Sequence, residues 1–282
     1  MERVLVKRDQ GKEITLMEPS LFKLHRYLFI FSHARSYTTL LCHLLGSHRQ
    51  ISGYAETMLA YETAVDLYTL NAKACAAGNY RNDCEYVLDK LLYDFLTVSD
   101  KVLGLPRIIP IFVVREPEPT IASLTRMRVR EYEQGIQEWA EGTDRRAAAG
   151  RAATYYTSRL ETLQSYCTRL GALGGRGILL PARCLLDDTA GALRFLESEL
   201  GLNGPLREEY ELFEKTGRPG FGDTSTTIRT GRIVRDPSEQ EEIPIPTDLL
   251  ERARDAYAAC MESLRTSPAL VPFGREPMAA AM

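Results

Sequence analysis

The sequence predicts an α/β fold in which a parallel β-sheet is flanked by helices. Three short apolar runs, at 27–31, 108–114 and 177–180, are rich in aromatic or branched residues and do not alternate with polar ones. Such runs are typical of strands that helices cover on both faces, as in parallel sheets. Helical patterns separate the runs, and this strand–helix–strand alternation favours a parallel sheet.

Four helical patterns accompany these strands. The first two are a leucine-rich face at 40–45 and a longer segment at 155–170. A third leucine stripe ends just before Gly201, and glycine often ends a helix because it adopts the left-handed conformation without strain. The fourth pattern, at 248–265, has Thr247 as its predicted N-cap, since a threonine hydroxyl accepts hydrogen bonds from first-turn N–H groups.

Residues 1–282 are expected to form one domain. A chain of this length can bury a large core without a disulfide or a metal. The informative motifs all lie within 27–235, and a last helix is expected at 247–266. Glycine, proline and hydroxyl residues are concentrated at 217–246, which predicts a long loop. A long loop inside a compact domain is usually functional or disordered.

Charge and composition argue against several classes of protein. The chain has 35 Lys+Arg and 38 Asp+Glu, a net charge of −3, whereas nucleic-acid binding requires a basic surface. No apolar run reaches the ~18–20 residues of a membrane span, and the N-terminus lacks a signal-peptide pattern. The six cysteines are scattered without metal-ligand spacing. We therefore expect a cytoplasmic protein with no metal site and no membrane or nucleic-acid partner.

The most informative stretch, 29–41, runs from the first strand through a polar turn into a helix. This geometry directs backbone N–H groups and the positive helix end toward the carboxyl edge of the strand. Ser36, Thr38 and Thr39 add hydroxyl donors, and Arg35 adds a charge suited to phosphate. The turn lacks the glycine-rich, lysine-containing loop of ordinary ATPases. It predicts an anion site, unless Ser36 and Thr38 only cap the helix and Arg35 is merely solvated.

Two motifs in this order resemble those of sulfotransferases. The turn at 32–40 resembles the family's loop for the 5′-phosphosulfate of 3′-phosphoadenosine 5′-phosphosulfate (PAPS). Downstream, Arg115 ends the second strand and Ser123 lies eight residues further on, which is the spacing of the family's 3′-phosphate site. The Asp89-Lys90 segment before the second strand is also similar. The resemblance covers about 27–235.

This resemblance implies a P-loop-like, sulfotransferase-type nucleotide-binding fold with PAPS as donor and 3′-phosphoadenosine 5′-phosphate (PAP) as product. It implies no metal, and it implies that the loop at 217–246 lies over the nucleotide. The implied nucleotide-binding residues are Arg35, Ser36, Tyr37, Thr38, Thr39, Arg115, Ser123 and Arg218.

Two of these residues depart from the family motif. Tyr37 stands where the family usually has glycine, and Arg218 stands where its late glycine loop has lysine. Glycine serves through close backbone approach or a positive φ, both of which are awkward for a tyrosine. We therefore expect Tyr37 to shift the loop or to line the acceptor pocket.

Glu56 is the implied general base, with Lys90 and Arg35 as the charge-stabilising residues. Glu56 lies 21 residues after Arg35, as does the catalytic glutamate of tyrosylprotein and related bacterial sulfotransferases. By the same resemblance, Lys90 reaches the oxygens on which charge develops as the phosphate leaves. The alternatives are that Glu56 is a surface residue starting a helix and that Lys90 is a solvated lysine on a helix.

Three functions are compatible with these motifs. The first is a PAPS-dependent sulfotransferase that acts on a hydroxyl of a small molecule or of a peptide tyrosine. The second is a nucleotide-binding, kinase-like enzyme, against which the missing loop lysine and the lack of a clear Mg²⁺ carboxylate pair count. The third is a non-catalytic relative that binds the nucleotide without transfer. The sequence predicts neither the acceptor nor the oligomeric state, because a fold resemblance does not supply a substrate.

Overall fold

The computed structural model describes residues 6–9, 12–15, 25–133, 145–218, 222–235 and 243–274. Its centre is a six-stranded sheet in which all neighbouring strands are parallel. In chain order its strands are β3 (Arg26–Ser32), β4 (Ile51–Ser52), β5 (Tyr86–Leu91), β6 (Ile108–Val114), β7 (Gly177–Pro181) and β8 (Leu270–Pro272). Their spatial order is β4-β5-β3-β6-β7-β8. A separate antiparallel pair is formed by β1 (Val6–Asp9) and β2 (Lys12–Thr15).

The predicted α/β class with a parallel sheet is therefore confirmed, and the three apolar runs are β3, β6 and β7. Strand β5 pairs with β3 and is buried along its whole length. Because Asp89 and Lys90 interrupt its apolar residues, β5 does not form a continuous apolar run in the sequence. Strands β4 and β8 have only two and three residues, too few to produce a hydrophobic pattern.

Helices connect and cover the strands. They are α1 (Thr38–Gly46), α2 (Asp66–Ala76), α3 (Asp100–Leu103), α4 (Pro117–Glu133), α5 (Arg145–Ala172), α6 (Cys184–Asp187), α7 (Thr189–Leu200) and α8 (Thr247–Thr266), with a 3₁₀ turn at Thr227–Thr230.

The helix ends agree with the sequence predictions only in part. Gly201 ends α7 with φ 62°, as predicted from its position after the leucine stripe. The predicted segment at 155–170 lies within the 28-residue helix α5, which begins ten residues earlier. Thr247 is not the N-cap of α8, because it is already the first helical residue and Pro246 occupies the cap position without a side-chain hydrogen bond.

The sheet has a hydrophobic core on each face, because alternate residues of a strand point to opposite sides. In β3, Tyr27, Phe29 and Phe31 belong to one core, while Leu28 and Ile30 belong to the other. Since β3, β5 and β6 are parallel, their carboxyl ends meet at one edge of the sheet, where ligands of open α/β sheets commonly bind. Within the described ranges, no helix is long and apolar enough to cross a membrane.

Candidate functional site

The loop between β3 and α1 has the predicted strand–turn–helix geometry. Tyr37 precedes α1 with φ 61° and ψ 15°, and its side chain makes no capping hydrogen bond. Arg35 is also left-handed, with φ 66°. The loop thus takes a positive φ with a tyrosine where the family motif has glycine, at a cost on the order of 1–2 kcal/mol per residue. The N–H groups of the first turn of α1 lack a side-chain acceptor from the cap residue, which suits an anion.

Ser36 and the two threonines of this loop have different surroundings. The hydroxyl of Ser36 is fully buried, donates to the carbonyl of His33 at 2.6 Å and lies 2.5 Å from the Ser32 hydroxyl. This hydroxyl is directed at the carbonyl of His33 and makes no capping bond to α1 among the described residues, and its predicted contact with a nucleotide stays a prediction. Thr38 and Thr39 line the cavity, as expected of anion-binding residues.

His33 connects this loop to the end of β6. Its Nε2 accepts the backbone N–H of Arg115 at 3.1 Å, so its Nδ1 must carry the proton that faces the Ala34 carbonyl at 3.0 Å. Burial lowers the pKa of His33 to about 4. The ring is thus a neutral support for Arg115.

Arg35, Arg115 and Ser123 come together beside the loop. Nη1 of Arg115 donates to the Arg35 carbonyl at 2.8 Å, and its guanidinium lies over the Tyr37 ring, 4.3 Å from the centroid. Nε of Arg35 donates to the Ser123 hydroxyl at 2.9 Å. The two separately spaced sequence motifs therefore form one polar cluster.

Glu56 and Lys90 form a buried ion pair. Lys90 Nζ lies 3.0 Å from Glu56 Oε1 and donates to the Thr39 hydroxyl, also at 3.0 Å. The Lys90 side chain is 0% exposed and that of Glu56 is 10% exposed. Lys90 belongs to strand β5, so the alternative of a solvated helical lysine is wrong. Glu56 begins no helix, since α2 starts at Asp66.

Asp89, next to Lys90 on β5, anchors the segment that carries Glu56. Its carboxylate accepts from the Thr57 N–H at 3.1 Å, the Thr57 hydroxyl at 2.5 Å and the Tyr61 hydroxyl at 2.7 Å. Burial raises the pKa of Asp89 to about 6, although these hydrogen bonds oppose the rise. No role for Asp89 followed from the sequence. The available signal was the adjacent pair of charged residues, Asp89 and Lys90, within an otherwise apolar stretch.

A cavity of about 560 Å³ is lined by part of this site, including Arg35, Arg115, Ser123 and Glu56, whereas Lys90 is not among its lining residues. Its charged lining residues are Arg35, Arg115, Arg126, Arg232, Glu56, Glu131 and Asp223. Arg126, Glu131 and Arg232 were not predicted, because their sequence surroundings match no motif. Asp223 ends the late glycine loop that loosely matches the family motif, but the sequence predicted no role for it. Arg218 is exposed and does not line the cavity. Its predicted contact with a nucleotide stays a prediction.

The described part of the 217–246 loop closes over the ion pair. Asp223 pairs with Arg35 at 3.3 Å, and its N–H donates to the Thr39 hydroxyl at 3.1 Å. Gly222 has φ 116°, and a Cβ there would lie 2.9 Å from Lys90 Nζ. Only glycine fits this approach without strain. Residues 219–221 and 236–242 of the predicted loop lie outside the described residues.

His43 connects α1 to Thr216, the residue directly before this loop. Its Nδ1 lies 2.8 Å from the Thr39 carbonyl and its Nε2 lies 2.9 Å from the Thr216 hydroxyl. Because a carbonyl only accepts, Nδ1 carries the proton and Nε2 accepts from Thr216. Burial lowers the pKa of His43 to about 4.

His33 and His43 should make the free energy of unfolding depend on pH. Below pH 6.5 the unfolded chain binds a proton at each histidine, whereas the folded chain does so only near pH 4. The contribution of each neutral histidine to the free energy of unfolding is complete above pH 6.5. It is lost as the pH falls toward 4, at about 1.4 kcal/mol per pH unit. Asp89 has the opposite effect between about pH 6 and 3.8. In that range the folded chain keeps the proton of Asp89 whereas the unfolded chain loses it, so this contribution to the free energy of unfolding grows as the pH falls. His43→Asn should therefore show a shallower loss than the wild type, by about 1.4 kcal/mol per pH unit in urea unfolding. Parallel curves for the two proteins would contradict a neutral, buried His43.

Comparison with known proteins supports the fold. No family model matches the sequence, and no curated protein matches it. One similar solved structure is the sulfotransferase domain from the curacin biosynthetic pathway, with a TM-score of 0.58 and 16% identity over 85% of this chain and 98% of that one. Another is the sulfotransferase domain from the Synechococcus PCC 7002 olefin synthase, with a TM-score of 0.49 and 18% identity over 83% and 95% of the respective chains.

The first of these structures shows that the chain has a sulfotransferase-type fold, as its two motifs predicted. The finer resemblance to tyrosylprotein-type enzymes stays a prediction. Among the described residues, no group of three or more His, Cys, Asp or Glu side chains could hold a metal ion.

Proposed function

We propose that this protein is a PAPS-dependent sulfotransferase that transfers a sulfuryl group to a hydroxyl of a small molecule or a peptide tyrosine. The observation that carries the proposal is a cavity at which two kinds of group meet. The anion loop with Arg115 and Ser123 would form its phosphate-binding side, and Glu56 lines it as a carboxylate whose ion-pair partner, Lys90, is buried. The sulfotransferase-type fold supports the same reading.

The donor side suits a nucleotide with phosphates at both its 3′ and 5′ positions. The first turn of α1, with Thr38 and Thr39, would hold the 5′ end, and Arg115 with Ser123 would hold the 3′-phosphate. A cavity of about 560 Å³ is within the usual range for a ligand of this size. Residues 217–246 would cover the nucleotide, as the Asp223–Arg35 pair suggests.

When bound, PAPS would supply the sulfuryl group, with PAP as its leaving group. The acceptor oxygen would form the new bond to sulfur as the bond between sulfur and the 5′-phosphate oxygen of PAP breaks. Glu56 would take the hydroxyl proton, within the general-base role that side chains commonly perform. Lys90 and Arg35 would offset the negative charge that develops on the departing oxygen, where fixed charges in a buried site act strongly.

Nucleotide binding tests this proposal directly. PAP at about 100 times its Kd stabilises by about 2.7 kcal/mol, which predicts a Tm rise of roughly 5–10 °C. We expect this rise with PAP and a much smaller one with ADP or ATP–Mg²⁺, because only PAP offers a 3′-phosphate to Arg115. A response only to ATP–Mg²⁺ would favour the kinase-like alternative, and no response to any of the three would contradict the proposal.

Two arginine variants locate the binding site in the same experiment. Arg115→Ala should lose most of the PAP-induced rise and raise the donor KM far more than the acceptor KM. Arg194→Ala, on the exposed face of α7, is the matched control and should behave as the wild type. An undiminished PAP response in the Arg115 variant would remove Arg115 from the site.

A further inference from the structure

The two left-handed residues of the anion loop both contact Arg115. Arg35, with φ 66°, offers its carbonyl to Nη1 of Arg115 at 2.8 Å. Tyr37, with φ 61°, places its ring against the guanidinium, 4.3 Å from centroid to Cζ. A non-glycine residue keeps such a conformation only where its surroundings impose it, and conformations of this kind cluster at functional sites. The shared target of the two strained residues is therefore informative.

One edge and one face of the Arg115 guanidinium contact the protein, and its other edge can bind a ligand. His33 accepts its backbone N–H, the Arg35 carbonyl takes Nη1, and the Tyr37 ring covers one face. Within the described ranges, Nε and Nη2 of Arg115 donate to no other group, and Arg115 lines the cavity. An edge of two N–H donors thus remains for a phosphate, the arrangement that guanidinium groups use for bidentate binding.

A fixed guanidinium should bind phosphate better than a mobile one. An arginine side chain has many rotamers, and ordering them upon binding lowers affinity. The aromatic ring restricts Arg115 before the ligand arrives, and cation–π contacts are stronger for partly desolvated groups such as this half-buried side chain.

We propose that Tyr37 is a positioning residue that holds Arg115 and thereby sets the preference for nucleotides that carry a 3′-phosphate. This inference rests on the proposed function, because it assigns Arg115 to the 3′-phosphate. It adds a role to the two expected from the sequence, in which Tyr37 shifts the loop or lines the acceptor pocket.

The test compares the Kd values of PAP and AMP, which differ only in the 3′-phosphate, by calorimetry. In Tyr37→Leu the ratio Kd(AMP)/Kd(PAP) should fall by about 5- to 30-fold, because the cation–π contact is lost. Tyr37→Phe keeps the ring and should keep the wild-type ratio. Tyr37→Gly should lose the preference like the leucine variant, and its backbone takes the positive φ without strain.

The outcomes separate this inference from the function on which it rests. Tyr37 also packs against a hydrophobic core, and a purely structural role would lower Tm in the leucine variant without changing the ratio. If the wild type prefers PAP and both the leucine and glycine variants keep that preference, the inference is overturned and the function stands. A wild-type ratio near one would overturn the 3′-phosphate assignment and the inference together. If the leucine variant does not fold, the glycine and phenylalanine variants decide.

Discussion

Glu56→Gln is expected to lower kcat for sulfuryl transfer by about 10²- to 10⁴-fold, the usual contribution of a general base. Glutamine has nearly the same shape as glutamate but cannot take the acceptor proton. The Kd for PAP should be nearly unchanged, because the groups proposed to bind the phosphates, on α1, directly after β6 and on α4, remain in place. The measurement is PAP release from PAPS with a panel of phenolic and alcoholic acceptors, followed by single-turnover kinetics with the best acceptor.

A second glutamate provides the control for this experiment. Glu131 lies on α4 and lines the same cavity, but no ion pair joins it to Lys90. Glu131→Gln should alter acceptor KM at most and should retain kcat. Equal kcat values for the wild type and Glu56→Gln would remove Glu56 from the mechanism, and an equal loss in both glutamine variants would point to a general effect of negative charge in the cavity.

Local patterns were sufficient to predict the parts of this site that lie along one stretch of chain. The apolar run of β3, the polar turn and the leucine face of α1 are contiguous, so their geometry follows from the sequence. The eight-residue spacing from Arg115 to Ser123 spans the end of β6 and the first turns of α4, and it is equally local.

Contacts between distant segments could not be predicted in the same way. The Glu56–Lys90 pair depends on the parallel pairing of β4 with β5, which brings Ser52 opposite Val87, and on the anchoring of Thr57 by Asp89. Neither is visible in the sequence around either residue. The sequence indicated that a tyrosine at position 37 would fit a glycine conformation poorly, and Tyr37 does take a positive φ. What the sequence could not reveal is that the ring meets Arg115, which lies 78 positions further along the chain.

Lys90→Met is expected to destabilise the protein by about 3–5 kcal/mol, because it leaves Glu56 buried without its cation. Methionine fills a similar volume, so the loss reflects charge more than packing. The double variant Lys90→Met/Glu56→Gln should be more stable than Lys90→Met alone, since removing both charges avoids an unpaired buried carboxylate. Urea unfolding of the four proteins in this double-mutant cycle measures the coupling.

The expected loss of stability is large because the Glu56–Lys90 pair is buried. An exposed ion pair provides the control. Arg252 and Asp248 form an ion pair on α8, and their side chains are 69% and 70% exposed. Arg252→Met should change stability little, because water screens exposed pairs. Additive effects of the Lys90 and Glu56 substitutions would mean that the two side chains do not depend on each other. Strong coupling would mean that Lys90 both stabilises the fold and holds the Glu56 carboxylate at the cavity, so one strand residue would link the stability of the sheet edge to the chemistry proposed there.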